Sequence, residues 1–327
     1  MTEQDNSHSL IPRPDVSLAN TAAGPKRILS AMVGDALALG REEAVAQSAR
    51  FRIGDYIWCE PDYRQILLWA ETLKMEPLTV IEHLLDDGTF LGIRGPAYSP
   101  EHTLTRFKDG RIETLHWDRR LLPLREFRWV EGLQITSLKF KRRHQPEWQV
   151  SALPLPLPHL KSLSCAYIGL TELDLSIVPN LDDLWCDDNE LMELDLSHVP
   201  NLTAIDCSGN ELTELPLSHV RNLTYLSCGS NELTKLDISN TPELNVLWCG
   251  GNQLSELDLS RVPKLKDLDC AGNEITELDL SHVPNLTELQ CLKNRIAELD
   301  IRPLLSLATL YYDKRSTRLI QRPDQKF

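Results

Sequence analysis

The chain contains no apolar run approaching the ~18 residues that a membrane-spanning helix requires, so no helical membrane anchor is expected. Its start, Met1 to Ser9, lacks the basic and apolar stretches of a secretory leader. A cytoplasmic location is the first expectation. The alternative is export by a specialised secretion system, whose cargoes also begin with polar, serine-containing stretches. A phosphate-binding glycine loop, an HExxH pair and a GxSxG elbow are all missing, which removes three common catalytic designs. No catalytic residue, cofactor or resident metal is expected. What remains is an ordinary apolar share, 42% of 327 residues, enough for one long domain and a modest second one.

Against these absences stands a strict repetition. Cys165, Cys186, Cys207, Cys228, Cys249, Cys270 and Cys291 recur every 21 residues within the pattern LxxLxCxxNxLTxLDLSxVPN. The frame leucines run from Leu160 through Leu181, Leu202, Leu223, Leu244, Leu265 and Leu286 to Leu307, giving seven full repeats and a partial eighth. A period of this size means a stacked solenoid. In Leu184-Trp185-Cys186 and its copies, residues two apart point to one side of a short strand. Leucine and cysteine therefore face inward and the residue between them outward. Asn189, Asn210, Asn231, Asn252, Asn273 and Asn294 follow each cysteine by three positions, where the chain must turn and where an amide can satisfy backbone groups. The next segment, Leu-Thr-Glu-Leu-Asp-Leu-Ser in its commonest form, returns leucines to the core, and Val-Pro-Asn closes the coil.

This pattern resembles the bacterial leucine-rich repeats of the 21-residue class, LxxLxCxxNxLxxLDLxxxxx, over about residues 133 to 312. The resemblance implies an α/β-type repeat solenoid, a right-handed superhelix with a parallel sheet on its concave face. It also implies a protein-binding module and names no ligand, because fold does not dictate function. Some bacterial proteins of this kind carry a ubiquitin-ligase domain whose catalytic cysteine is followed two places on by aspartate. In Cys59-Glu60-Pro61-Asp62 the aspartate stands at the wrong offset, and the region is small, so Cys59 is read as a buried thiol, the alternative being the nucleophile of an enzymatic N-terminal helical region. The seven repeat cysteines form a column walled by leucine with no histidine in register, and buried free cysteine behaves as a small hydrophobe.

Charge is unevenly spread. Residues 160–312 hold 25 Asp and Glu against 9 Lys and Arg, a difference of −16, whereas the whole chain carries −14. Residues 106–143 reverse the balance, 11 basic to 5 acidic, and the tail 313–327 is basic at 5 to 2. An acidic array repels a nucleic-acid backbone, so nucleic acid is not an expected partner. Glu172, Glu193, Glu214, Glu256, Glu277 and Glu298 form one outward column, with Asp174, Asp195, Asp237, Asp258, Asp279 and Asp300 in the next. The repeats lack the glycine-rich turns of calcium solenoids, so these rows are read as solubility features. His198, His219 and His282 share one loop position and are surface residues of the repeat.

Function is expected where the copies disagree. The outward position before each cysteine reads Ser164, Trp185, Asp206, Ser227, Trp248, Asp269 and Gln290, with Tyr311 on the last strand. Beside it run Ser162, Asp183, Ala204, Tyr225, Val246, Asp267 and Glu288, and after the cysteine Ala166, Asp187, Ser208, Gly229, Gly250, Ala271 and Leu292. Trp185 and Trp248 lie three rungs apart, about 14 Å at about 4.8 Å per rung. That separation, with small residues alongside, suits a gripped helix or loop. Trp185, Tyr225, Trp248 and Tyr311 are the expected contact aromatics, with Asp183, Asp187, Asp206 and Asp269 selecting basic groups of a protein partner. The other occupant is the N-terminal region or the tail, folded back over the same face.

The remaining expectations concern the flanks. Residues 1–25 are polar and read as disordered, and 26–93 as a small helical region with helices over Lys26–Arg52, Pro61–Leu73 and Pro77–Leu85. Residues 94–158 read as a β-rich cap. It holds a hairpin turning at Lys108-Asp109-Gly110 and eroded repeats at Leu133–Phe140 and Trp148–Leu157. The solenoid occupies 159–312, and 313–327 closes its far end. Because cysteine faces inward, Cys207→Asp buries an unpaired carboxylate and is expected to unfold the solenoid. Circular dichroism checks this, and an unchanged spectrum inverts the assignment of inside and outside.

Overall fold

The computed structural model describes residues 157–327 continuously and, before them, the segments 52–53, 56–57, 60–73, 76–78, 80–81, 106–108, 111–117 and 133–140. The expected disorder over 1–25, most of the first helix, Cys59 and most of the Trp148–Leu157 repeat lie outside the described residues. The chain divides into two compact units, 1–114 with 130–133, and 115–129 with 134–327.

In the first unit, β1 (Arg52–Ile53) pairs antiparallel with β2 (Tyr56–Ile57), and α1 spans Glu60–Leu73. Ile66, Trp69 and Ala70 are buried, the i, i+3, i+4 spacing of an amphipathic helix. Asp62, one turn earlier, is also buried, and its Oδ1 accepts the Ile112 backbone N–H at 2.8 Å. The carboxylate three residues after Cys59 therefore holds a strand. Helical residues recur at Pro77, Leu78, Val80 and Ile81. β3 (Arg106–Lys108) and β4 (Arg111–Trp117) form the expected antiparallel hairpin, with Lys108 opposite Arg111 and a bulge at Arg106/Phe107.

The second unit is the solenoid. Its strands are β5 (Ser137–Phe140), β6 (Ser162–Ser164), β7 (Asp183–Trp185), β8 (Ala204–Asp206), β9 (Tyr225–Ser227) and β10 (Val246–Trp248). They continue with β11 (Asp267–Asp269), β12 (Glu288–Gln290), β13 (Glu298–Asp300), β14 (Thr309–Tyr311) and β15 (Arg318–Ile320). From β5 to β12 and on to β14 every neighbour is parallel and in the same register, Leu138 opposite Leu163, Leu163 opposite Leu184, and so on to Leu310. The eroded repeat at Leu133–Phe140 is thus a rung of the same ladder. The middle leucine or isoleucine of β6 to β12 is fully buried, as are Cys165 to Cys270, and Cys291 is nearly so. All seven thiols are free, and burial pushes them up, Cys291 to about 12, so at neutral pH they are uncharged filling. The return segments are turns that bury the Leu-Asp-Leu leucines and the following valine.

The asparagines tie the rungs together. Asn231 is representative: its Nδ2 donates to the carbonyls of Cys228, in its own rung, and Cys207, in the rung before, at 3.1 and 3.0 Å. Its Oδ1 accepts the Leu212 N–H at 3.0 Å. Asn189, Asn210, Asn252, Asn273 and Asn294 repeat the arrangement. The position two after each cysteine is left-handed, occupied by Tyr167, Asp188, Gly209, Ser230, Gly251, Gly272 and Lys293. At Gly209 a Cβ would also stand 2.5 Å from Asp188 Oδ1.

At the β14 end of the ladder, side chains take over backbone roles. Asp313 Oδ2 accepts the Lys293 N–H at 2.6 Å, where earlier rungs offer a backbone carbonyl, as Leu292 does to Gly272. β15 pairs parallel with β13, and buried Gln325 donates Nε2 to the carbonyls of Ile301 and Leu304, both at 2.9 Å.

Because Asn231 satisfies three buried backbone groups at once, Asn231→Leu is expected to lower stability by about 3 kcal/mol or more. Asn240→Leu, whose amide reaches only the exposed Ser239 hydroxyl, should stay within about 0.5 kcal/mol. Urea unfolding of both variants checks the difference.

Candidate functional site

Each short strand presents two outward residues flanking one inward leucine or isoleucine, so the sheet face is two columns wide, with the post-cysteine residue beside them. Trp185 on β7 and Trp248 on β10 stand in one column, separated by Asp206 and Ser227. Tyr225 stands in the other column on β9, opposite Ala204. The small Ala204 side chain leaves the space above β8 open, and Tyr225 and Trp185 meet across it. Their ring centroids are 5.5 Å apart, and Tyr225 packs against Trp248 at 5.5 Å with an interplanar angle of 75°, the edge-to-face geometry that aromatic pairs favour. The expected gap between the tryptophans is therefore bridged by Tyr225, and the three rings make one continuous patch. Trp248 keeps 40% of its surface exposed, while Trp185 and Tyr225 are half-buried.

The expected carboxylates divide among several roles. Asp206 Oδ1 accepts the Ser208 N–H and hydroxyl at 3.1 and 2.6 Å, and Asp269 Oδ1 accepts the Ala271 N–H at 2.9 Å. Both lie half-buried beside the rings. Asp183 accepts the Thr203 hydroxyl at 3.4 Å. Asp187 corrects the expectation: it is only 5% exposed, so it contributes charge beneath the face and no contact surface. Tyr311, 49% exposed, lies on the terminal strand β14, and no ring contact among the described residues joins it to the patch. Gly229 and Gly250 are crowded by the next rung. A Cβ there would meet the Gly250 carbonyl at 2.9 Å or the Ala271 carbonyl at 3.0 Å, so they are not a floor kept clear for a ligand.

One residue of the patch was not singled out by its sequence. Asp267 lies near the Trp248 indole, and its Oδ1 is buried with no hydrogen-bond partner. Burial raises its carboxyl above the ordinary range, and the charges of Glu288 and Asp269 add to this, while the nearby Trp248 indole opposes it. The signal was available in the pairing, since Asp267 lies opposite Val246 and hence diagonal to Trp248. Burial, followed by the charge of Asp206, likewise drives the Tyr225 phenol upward, with Asp187 and Asp267 adding and Ser227 opposing. The rings therefore sit in a negative field.

On the return segments the aspartate row is structural. Asp174, Asp195, Asp237, Asp258 and Asp279 each accept the N–H of the serine two residues on, at 2.8 to 2.9 Å. These serine bonds hold the carboxyls below their ordinary range, the hydroxyl contributing most at Asp174, Asp195 and Asp237 and the N–H most at Asp258 and Asp279. The Arg302 side chain does the same for Asp300. Among the described residues no helix is long and apolar enough to cross a membrane.

No protein-family model and no curated protein matches the chain. Solved structures do. A leucine-rich-repeat protein of Leptospira interrogans aligns with TM-score 0.50 and 24% identity over 57% of this chain and 50% of its own. The functional domain of InlJ from Listeria monocytogenes, described as including a cysteine ladder, aligns at TM-score 0.48 and 29% identity over 65% and 44%. The ectodomain of the Arabidopsis thaliana receptor kinase GASSHO1/SCHENGEN3, solved with CASPARIAN STRIP INTEGRITY FACTOR 2, aligns at 0.46 and 23% over 57% and 27%. This chain spans half or less of each neighbour's length. The 21-residue period, the parallel ladder and the Leptospira likeness define one fold: the chain is a solenoid with the leucine-rich-repeat fold.

A depressed carboxyl stabilises the fold above the unfolded value of about 3.9, and that stability is lost as pH falls through the lower folded value. Below about pH 4 the turn aspartates should therefore weaken the fold. In Asp195→Asn/Asp258→Asn the amide still accepts the serine bond but does not titrate. Its stability should decline less steeply than wild type between about pH 4 and 2, as read by urea unfolding.

Proposed function

We propose that the protein is a protein-interaction module that binds a partner on its sheet face. Trp185, Tyr225 and Trp248 form the contact centre, and Asp183, Asp206 and Asp269 favour basic groups. The observation carrying this reading is the three-ring patch on an open strand face, with Trp248 still 40% exposed. Exposed tryptophan and tyrosine are enriched at interfaces, and a central tryptophan there commonly contributes about 2 kcal/mol or more. The arrangement of inside and outside supports the same reading. Leucine, cysteine and asparagine are committed to the stack, whereas the face residues differ from rung to rung, which is how a uniform scaffold acquires specificity. Tyr311 extends the face toward the terminal strand as a peripheral contact.

The test is affinity capture from the source cells, with Trp185→Ala/Trp248→Ala beside wild type. The variant should lose a partner by about 30-fold or more in affinity while keeping the wild-type circular dichroism and urea midpoint. Equal capture by both proteins refutes the sheet-face reading.

A further inference from the structure

The face around the rings lacks the charge needed to balance it. Across the two outward columns and the post-cysteine column of β7 to β11 there are five carboxylates, Asp183, Asp187, Asp206, Asp267 and Asp269, and not one lysine or arginine. The solenoid's basic side chains form their ion pairs elsewhere: Lys161 with Asp182, Lys264 with Glu243, Arg295 with Glu274, Arg302 with Asp300 and Arg318 with Glu298. Among the described residues Asp206, Asp267 and Asp269 have no ion-pair partner; Asp269 stands next to Trp248 in its column and Asp267 diagonal to it, while Asp206 lies two rungs from Trp248. Burying like charges beside an apolar surface is costly, and an incoming cation offsets that cost.

Resting on the sheet-face reading above, we propose that the partner engages this patch with an arginine. Its guanidinium would lie on Trp248 beside Tyr225, and its N–H groups would face Asp267 and Asp269. Chemistry selects arginine over lysine. A guanidinium is planar, weakly hydrated, stacks on indole and phenol rings and presents several donors in a fork, whereas an ammonium is a strongly hydrated point charge. A bulky apolar occupant would cover the rings but leave three carboxylates desolvated without a counter-charge. The buried Oδ1 of Asp267, which no donor reaches, marks where that missing positive charge has most effect.

Three fluorescein-labelled glycine-spaced peptides, carrying arginine, lysine or the neutral isostere citrulline, test this against the full chain by fluorescence anisotropy. The arginine peptide should bind at least about fivefold more tightly than the lysine peptide and about 30-fold more tightly than the citrulline peptide. Trp248→Leu and Asp267→Asn/Asp269→Asn should each weaken the arginine peptide by about tenfold. Glu193→Gln/Glu214→Gln, on the return segments, should leave it unchanged. Binding that falls equally in that control pair reflects general attraction to an acidic surface and overturns the proposal. So does equal affinity for arginine and lysine, or no binding because the chain covers its own face. Citrulline binding that matches arginine and is lost in Trp248→Leu also overturns it, but leaves the sheet-face reading intact. Binding indifferent to Trp248→Leu for every peptide removes both.

Discussion

A buried asparagine that bonds two rungs at once is the interaction on which the molecule depends. A short strand of three residues cannot hold its neighbour by ladder hydrogen bonds alone, and the chain must leave it at once through a turn whose carbonyls point into the stack. Left alone, each such carbonyl would lose its water without a replacement. Asn189 to Asn294 solve this with one side chain per turn, linking each cysteine carbonyl to the one below and fixing the register of the rungs. Small neutral cysteine then fits beside the amide, and leucine fills the remaining space.

With the interior settled in this way, the outward columns are free of packing duty, and the acidic rows separate by role. On the return segments aspartate closes a turn with the serine two residues on, so its charge is incidental to its hydrogen bond. On the strands Asp206 and Asp269 also cap a backbone N–H, but they do so beside rings, where their charge shapes the surface. The same residue type thus closes the coil on one side and stands beside exposed rings on the other.

The 21-residue period, the parallel ladder, inward cysteine and outward tryptophan were all legible in the sequence, because each repeats and each follows from strand alternation. α1 and the hairpin were legible as well, from apolar spacing and an Asp-Gly turn. What could not be read was anything set by side chains meeting across two rungs. Tyr225 reaches Trp185 only because Ala204 between them is small, and Asp267 joins Trp248 along a diagonal that a linear pattern does not display. Asp187 looked exposed because the residue after each cysteine alternates outward, yet the tight exit from the strand turns it beneath the face. The turn role of the Asp-x-Ser aspartates was written in every repeat, but their regularity suggested a surface row before it suggested a bond.

The closure at the end of the stack bears on how such a molecule changes size. Asp313 supplies, as a side chain, what the earlier rungs receive from a backbone carbonyl of the next rung, and Gln325 covers the carbonyls of Ile301 and Leu304. That arrangement is specific to the final turn, whereas any interior rung sees the same register above and below. A 21-residue unit duplicated in the middle of the array therefore meets ready partners on both sides and leaves the closure untouched, while a unit added after Leu304 must displace it. Growth by internal duplication is the route that the hydrogen bonding leaves open.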